Sequence, residues 1–456
     1  MITDQWPRLA GAAGLLAAWV GLCLWAWRAG RPRQPVRAVP SGDGTPVLVA
    51  FASQTGFAHE LADEAAAALQ AAGLDCEIAP LGEVDAARIR RAGQVLFIAS
   101  TCREGDAPDN ATAFVERVMN ARADLHGVRH AVLALGDRRY ARFCGFGREL
   151  DAWLGDCGAE ALFPRIELDG VDHAGLEHWR HRLAGFANAA EPFAGTDTTG
   201  WWRIRARRHL NPGSAGAPAF HVELEAVAGP DAGTPALPLP RWEAGDLLQL
   251  LPPGGDARPR TYSIASLPED GSVQLLVRAV HDAEGRPGLM SALLCGEAPA
   301  GTALRGRIRA HHNFRLGDNA RRPLLLIGAG TGLAGLLALL RWRARHGEGR
   351  NWLLFGERNA AHDRFHDDEI EALRASRLLA RCDRTYSRDG PGEYVQQRLA
   401  RNAATVRQWV HDGAAIYVCG NAVGMGPAVH DTLRDILGEE TLSRLTRDGR
   451  YRRDLY

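Results

Sequence analysis

Arg260-Thr261-Tyr262-Ser263-Ile264-Ala265-Ser266 is a short β-branched and aromatic run that follows a Pro-Pro-Gly-Gly turn at residues 252–255. Side chains alternate across a strand, so Arg260 and Tyr262 share one face and Ser263 takes the other. A guanidinium for a pyrophosphate, an aromatic ring for a flat heterocycle and a hydroxyl near a reactive nitrogen suit a flavin dinucleotide. The same run would serve as a core strand with an incidental arginine, and the flanking sequence has to decide.

Around it, residues 220–227, 246–251, 261–265 and 273–280 read as strands separated by turn signals, the pattern of a small antiparallel barrel. Gly288-Leu289-Met290-Ser291 then opens a helix, whose free N–H groups can take a pyrophosphate opposite Arg260. Without Arg260 it would be a plain helix start. Further on, the apolar strand 323–327 runs into Gly328-Ala329-Gly330-Thr331-Gly332 and a helix over 336–345. Strand, glycine loop and helix together are the context a dinucleotide-binding turn needs. Later strand ends carry Gly356-Glu357-Arg358-Asn359, Thr385-Tyr386-Ser387-Arg388-Asp389 and Ile416-Tyr417-Val418-Cys419-Gly420-Asn421. Ser387 and Arg388, with Tyr394 and Gln396 nearby, offer a hydroxyl and a guanidinium to the 2′-phosphate that distinguishes NADPH from NADH. A merely solvated Arg388 is the alternative.

Upstream, residues 47–51 form an apolar strand leading into Ser53-Gln54-Thr55-Gly56-Phe57-Ala58 and a helix over 59–72. A hydroxyl-rich loop at a helix N-terminus cradles one phosphate, because unpaired N–H groups and the helix dipole favour an anion. No lysine is present, which argues against a nucleoside triphosphate loop. Ser53 or Thr55 capping the helix with no ligand is an equal reading of this loop alone. Strands 95–99 and 131–135 lead to Ser100-Thr101-Cys102-Arg103-Glu104-Gly105-Asp106 and to Gly136-Asp137-Arg138-Arg139-Tyr140-Ala141-Arg142-Phe143-Cys144. Three such strand ends place a ligand at the carboxyl edge of a parallel sheet.

With these motifs in order, the segment 46–188 resembles the flavodoxin-like FMN domains of diflavin reductases. The rest of the chain resembles NADPH–hemoprotein reductases and the sulfite reductase flavoprotein subunit. Trp242-Glu243-Ala244-Gly245-Asp246 and Arg208-His209-Leu210-Asn211-Pro212-Gly213 look like barrel-entry segments of the ferredoxin–NADP reductase type. The resemblance implies an FMN set of Ser53 to Ala58, Ser100, Thr101, Cys102, Arg103, Leu135, Gly136, Asp137, Tyr140, Phe143 and Cys144, with Tyr140 stacking on the ring. It implies an FAD set of Arg260, Thr261, Tyr262, Ser263, Leu276, Val277, Arg278, Gly288, Leu289, Met290, Ser291 and Tyr456. The NADPH set is Gly330, Thr331, Arg358, Ser387, Arg388, Tyr394, Gln396 and Cys419. The ending Arg450-Tyr451-Arg452-Arg453-Asp454-Leu455-Tyr456 resembles the family's aromatic terminus, so Tyr456 would cover FAD while Ser263, Cys419 and Asp454 surround the hydride path.

Departures are visible. Cys102 stands where many relatives carry a ring or glutamine, and Asp137 would disfavour an anionic reduced flavin unless it is simply a surface carboxylate. Gly392 replaces a phosphate-binding lysine, Gly335 a proline, and Asn421 and Ala428 acidic residues. Arg260 follows Leu250 almost directly, without the helical connecting insertion of larger relatives. The two flavin domains must then be positioned by the linker and by direct contact.

The 456 residues carry 54 basic and 54 acidic side chains, a balance that argues against nucleic-acid binding. The 8 cysteines have no metal spacing and read as reduced thiols. No hydrolase elbow and no metal-spaced histidine cluster appear. Residues 9–27 are uncharged and suit the roughly 20 residues of a bilayer crossing, with Trp19, Trp25 and Trp27 at one end. Arg28, Arg31, Arg33 and Arg37 follow, placing the bulk of the chain on the cytoplasmic side of a bacterial-type inner membrane. The expected organisation is an anchor segment over 1–29, a tether over 30–45, the FMN domain over 46–188 and a linker over 189–200. An FAD barrel over 201–320 and an α/β NADPH domain over 321–456 complete it. The expected partner is a heme-containing acceptor at the membrane, with no nucleic acid and no metal. Alternatives are the flavoprotein subunit of an assimilatory NADPH–sulfite reductase and a flavin-binding sensor with impaired NADPH turnover.

Overall fold

Six parallel strands open the fold in a computed structural model that describes residues 45–102, 105–170, 172–189, 193, 199–229, 240–253, 258–282, 284–299 and 301–456. The expected anchor and tether, most of the linker and Arg103 lie outside the described residues. No helix among the described residues is long and apolar enough to cross a membrane.

The first sheet comprises β1 (Val47–Ala52), β2 (Cys76–Pro80), β3 (Gln94–Ser100), β4 (Arg129–Gly136), β5 (Glu160–Ala161) and β6 (Ile166–Asp169), in the order β2-β1-β3-β4-β5 with β6 also on β4. Its central strands are apolar without alternation because both faces are covered. Val47, Val49 and Phe51 face a core shared with the helices Phe57–Ala71 and His173–Phe186, while Leu48, Ala50 and Ala52 face the helix Gly145–Asp156. Each fully buried Leu or Phe there contributes roughly 1.5–3 kcal/mol. The first helix starts at Phe57, ahead of the expected 59, because Gly56 turns the chain at φ 88°.

The barrel contains β7 (Gly200–His209), β8 (Ala219–Val227), β9 (Leu247–Leu251), β10 (Arg260–Ser263), β11 (Val273–Arg278) and β12 (Ala303–Arg309), in the antiparallel order β10-β9-β12-β7-β8-β11. The strand expected over 261–265 ends at Ser263, and Ile264 then bridges Leu275 of β11, which joins the two outer strands.

The third sheet has the parallel order β15-β14-β13-β16-β17, with β13 (Leu324–Ala329), β14 (Asn351–Glu357), β15 (Arg381–Tyr386), β16 (Ala415–Gly420) and β17 (Tyr451–Leu455). The aromatic tail is therefore an edge strand, whose register sets Asp454 opposite Cys419. The helix read over 336–345 begins at Leu333, after a 3₁₀ turn at Gly330–Gly332.

Candidate active site

The loop Ser53–Gly56 leaves β1 and enters a helix that no side chain caps. The first intrahelical bond is Glu60 N–H to Gly56 O at 3.0 Å, so the N–H groups of Phe57, Ala58 and His59 keep no backbone partner. Capping by Ser53 or Thr55 is thereby excluded. Ser53 Oγ is buried with no hydrogen-bond partner, and so is Thr101 Oγ1 on the neighbouring loop. Unpaired buried hydroxyls beside free helix N–H groups are what a phosphate-bearing ligand would satisfy.

These loops open on a cavity of about 1500 Å³. Thr55, Thr101, Cys102 and Tyr140 line it on one side, Leu455 and Tyr456 on the other. The volume exceeds the roughly 300–1,000 Å³ of an ordinary ligand pocket, which leaves room for more than one ring system. Tyr140 is 37% exposed, free to lie against a planar ligand. Leu135 is a core residue at the cavity wall, and the Cys144 thiol, fully buried, donates to Ala134 O at 3.4 Å. Phe143 lies 4.6 Å beneath the Arg138 guanidinium. Asp137 is no isolated surface carboxylate. Hydrogen bonds from Arg139, opposed by partial burial and joined by Arg258, hold it well below the usual carboxylate range.

At the second centre, Ser263 Oγ donates to Asp454 Oδ2 at 2.6 Å, and Cys419 Sγ lies 3.5 Å from the same oxygen. Three elements supply this group, β10, β16 and β17. Burial, then the Asp454 charge, pushes the Cys419 thiol well above its ordinary value, so it stays protonated. Arg260 is exposed and, among the described residues, bonds only the carbonyls of Arg258 and Pro259, so its guanidinium meets no carboxylate there and fits a pyrophosphate. Thr261 is exposed and Tyr262 half-buried beside it. The helix expected at Gly288 is short, Leu289–Ala292, and passes into a π-turn at Leu293–Glu297. Ser291 Oγ accepts from Val280 N and donates to Gly288 O, so that side chain ties the loop together. Met290 and Val277 point into the barrel core, and Leu276 packs against the third sheet. Their main chain, with Leu289, is what could face FAD. Arg278 bonds Glu357 at 2.6 Å across the junction.

Tyr456 closes the second centre, with its hydroxyl 3.1 Å from Thr331 Oγ1 beside Gly330. Arg388 is exposed, Ser387 and Gln396 are half-buried, and Tyr394 is 48% exposed on the same rim. Arg358 lies across from them with a bond to Ala215 O at 3.3 Å. Gly392 sits at φ 70°, and a Cβ there would meet Ser387 O at 2.8 Å, so this loop cannot take a lysine at that position without moving.

The two halves touch directly. Arg307 holds Glu60, Arg258 holds Asp137 and Asp169, and Arg453 holds Asp109, every guanidinium on one side and every carboxylate on the other. Asn313 Nδ2 donates to Ser53 O at 2.6 Å, and His311 Nε2 lies 3.1 Å from Gln54 O. Gln54 itself donates to Asp109 Oδ2 at 3.0 Å. A Cβ on Gly56 would meet Ala310 O at 2.4 Å, a measure of how closely the loop is seated. Sequence reasoning missed Asp109, His311, Asn313 and Arg453. The one local signal was the run His311-His312-Asn313 between the arginine-rich strand β12 and the apolar strand β13.

A buried Ser-Asp-Cys group beside one glycine loop, and an anion loop on a cavity that also reaches the terminal Tyr456, suit electron transfer between two bound ring systems, and the class defined is a two-flavin oxidoreductase. Residues 49–181 match the Flavodoxin family and residues 326–431 match the Oxidoreductase NAD-binding domain family. The chain is 28% identical to the sulfite reductase (NADPH) flavoprotein alpha-component of Neisseria meningitidis serogroup C (strain 053442), over 97% of this chain and 96% of that protein. The same-named protein of Vibrio parahaemolyticus serotype O3:K6 (strain RIMD 2210633) is 27% identical over 96% and 92%, and that of Sodalis glossinidius (strain morsitans) 28% over 99% and 98%. The first alignment runs over 581 positions against 456 residues, so that relative carries segments this chain lacks. The two family matches and these relatives support an NADPH-dependent diflavin reductase, with FMN in the flavodoxin half and FAD and NADPH in the other.

Proposed function

We propose that this chain is a membrane-tethered diflavin reductase that delivers electrons from NADPH to a heme-containing protein at the cytoplasmic face of a bacterial-type inner membrane. Bound in their sites, FAD would supply two-electron acceptance from a nicotinamide and one-electron release, and FMN one-electron relay. The observation that carries the reading is one cavity bordered by both the phosphate loop at Thr55 and the terminal Tyr456, which brings the C-terminal ring to the edge of the FMN-side cleft. The chain's own work is positional. Ser53 to Ala58 would hold the FMN phosphate, Arg260 and the turn at Gly288 the FAD pyrophosphate, and Ser387, Arg388, Tyr394 and Gln396 the NADPH 2′-phosphate. Tyr456 would cover the FAD ring until nicotinamide displaces it. Asp454 would orient Ser263 toward the reacting nitrogen and hold a proton there. Residues 9–27 and the arginines after them support the tether.

Heating the detergent-solubilised protein and chromatographing the released flavins tests the core of this. FMN and FAD should appear in near-equal amounts, and recovery of one alone ends the reading. Removal of residues 1–30 should yield a soluble protein that still reduces cytochrome c with NADPH. An inactive product would mean that the segment helps build the electron path.

A second reading, a flavoprotein subunit of an NADPH–sulfite reductase, is favoured by the names of the relatives. Co-purification with a siroheme protein from its own cells would select it.

A further inference from the structure

His311 lies two residues beyond β12, and its side chain is fully buried where the two halves meet. Its backbone N–H donates to Asp246 Oδ1 at 2.9 Å, which anchors the base of the ring. Its Nε2 lies 3.1 Å from the carbonyl oxygen of Gln54, in the phosphate loop of the other half. A carbonyl oxygen only accepts, so Nε2 carries the hydrogen. In a neutral ring Nδ1 is then a bare acceptor, and it has no hydrogen-bond partner among the described residues. It faces Asp454 Oδ1 at 4.0 Å. The remaining carboxylate oxygen is already taken by Ser263 Oγ and approached by Cys419 Sγ. Two buried acceptors set face to face repel each other, and a single proton placed on either turns the contact into a hydrogen bond.

We propose that His311 is a positioning residue for Asp454, that the two share one proton, and that the Gln54 carbonyl fixes the tautomer this requires only while the two halves are docked. The inference rests on the reading of Ser263, Cys419 and Asp454 as the group beside the hydride path. In the transfer, the carboxyl O–H of Asp454 breaks and an N–H forms at His311 Nδ1. A neutral acid and neutral imidazole become a carboxylate and an imidazolium, so the net charge of the pair is unchanged and no electrons move. The gap of 4.0 Å closes to the length of a charge-assisted hydrogen bond, about 2.8 Å. The Ser263–Asp454–His311 chain thereby links the hydride site to the seat of the FMN-binding loop.

Burial pushes the imidazole down, the Asp454 carboxylate and the Gln54 carbonyl pull it up, Arg309 opposes them and Asp246 assists. Arg315 is spoken for by Asp246 and Glu243, and His312 leans on His59 across the interface, 4.5 Å between ring centroids. Cys419 borders only the far oxygen of Asp454.

The test uses the full chain labelled with ¹⁵N at histidine, as wild type, His311→Gln and Asp454→Asn. One imidazole signal, absent from His311→Gln, should report Nε2–H, with an Nδ1 shift that moves in Asp454→Asn. A signal protonated at Nδ1 alone, or one that Asp454→Asn leaves in place, overturns the proposal. His311→Asn gives the same assignment if the glutamine variant does not fold. Glutamine keeps a donor for Gln54 and an acceptor for Asp454 but does not titrate. His311→Gln should therefore keep both flavins and its KM for NADPH, lose about tenfold in kcat for cytochrome c reduction, and lose one limb of the wild-type pH profile. A profile that superimposes on the wild type's overturns the proposal even where kcat falls. The NMR readout needs neither flavin nor nucleotide, so it stands or falls apart from the reductase reading, which flavin recovery tests.

Discussion

The phenol oxygen of Tyr456 lies 3.1 Å from Oγ1 of Thr331, which puts the last residue of the chain on the glycine loop of the third sheet. Its main chain is pinned on both sides, with N–H to Gly420 O at 3.1 Å and its carbonyl oxygen taking Ala422 N–H at 2.9 Å. The residue as a whole is 52% exposed. A fixed backbone under a side chain held by one hydroxyl contact is a cover that can turn aside without unravelling β17. Tyr456→Ala should therefore raise kcat/KM for NADH relative to NADPH about tenfold, or ~1.4 kcal/mol of differential binding. Steady-state kinetics with both nucleotides measures it, and an unchanged ratio removes the role.

Asp454→Asn keeps the shape of the side chain but removes its charge from the Ser263 hydroxyl, which it now accepts from at 2.6 Å. Bleaching of the enzyme-bound flavin by NADPH, followed by stopped flow, should slow by on the order of 10²-fold while both flavins remain bound. Wild-type bleaching would show that the carboxylate takes no part in the hydride step.

Gly56→Ala combines a left-handed backbone at φ 88° with a Cβ only 2.4 Å from Ala310 O. The conformation alone costs about 1–2 kcal/mol, and the contact is with main chain, which cannot swing away. FMN content should fall against FAD, with a lower melting temperature. Full FMN occupancy and an unchanged melting curve would mean the two halves are not seated as described.

His221 bridges the barrel and the third sheet through His366, ring nitrogens 3.2 Å apart, and His366 in turn meets Glu369. Burial first, then His366, Arg208 and Arg341, pushes the His221 imidazole down to about 3, against the opposing pull of Glu369. A depressed value means that the unfolded chain binds the proton and the folded one does not. Stability from this group is therefore present above pH 6.5 and lost as pH falls toward 3, at about 1.4 kcal/mol for each pH unit. His221→Gln should lose less melting temperature than wild type between pH 7 and pH 5. Calorimetry showing equal losses would place the acid sensitivity elsewhere.

The order of elements was legible because each depends on local pattern. Apolar runs such as 47–51 and 323–327 must be buried on both faces, and glycine or hydroxyl loops follow them at the strand ends. The Ser263, Cys419 and Asp454 set was named from motif resemblance, but their meeting at 2.6 and 3.5 Å depends on β17 pairing with β16, and the tail carried no strand signal. The choice at Ser53 to Gly56 between capping and ligand binding was likewise open until the helix proved to have no side-chain cap.

The sequence by itself determined two parallel sheets around a barrel, with their loop chemistry, since hydrophobic period and turn residues act over a few positions along the chain. Only the tertiary structure decided what crosses between the halves. Arg453 with Asp109, Arg307 with Glu60, and His311 between Gln54 and Asp454 join residues far apart in sequence. No periodicity encodes such contacts, because a charged or imidazole side chain acquires a partner only once two separately folded surfaces are brought together and water is driven from between them.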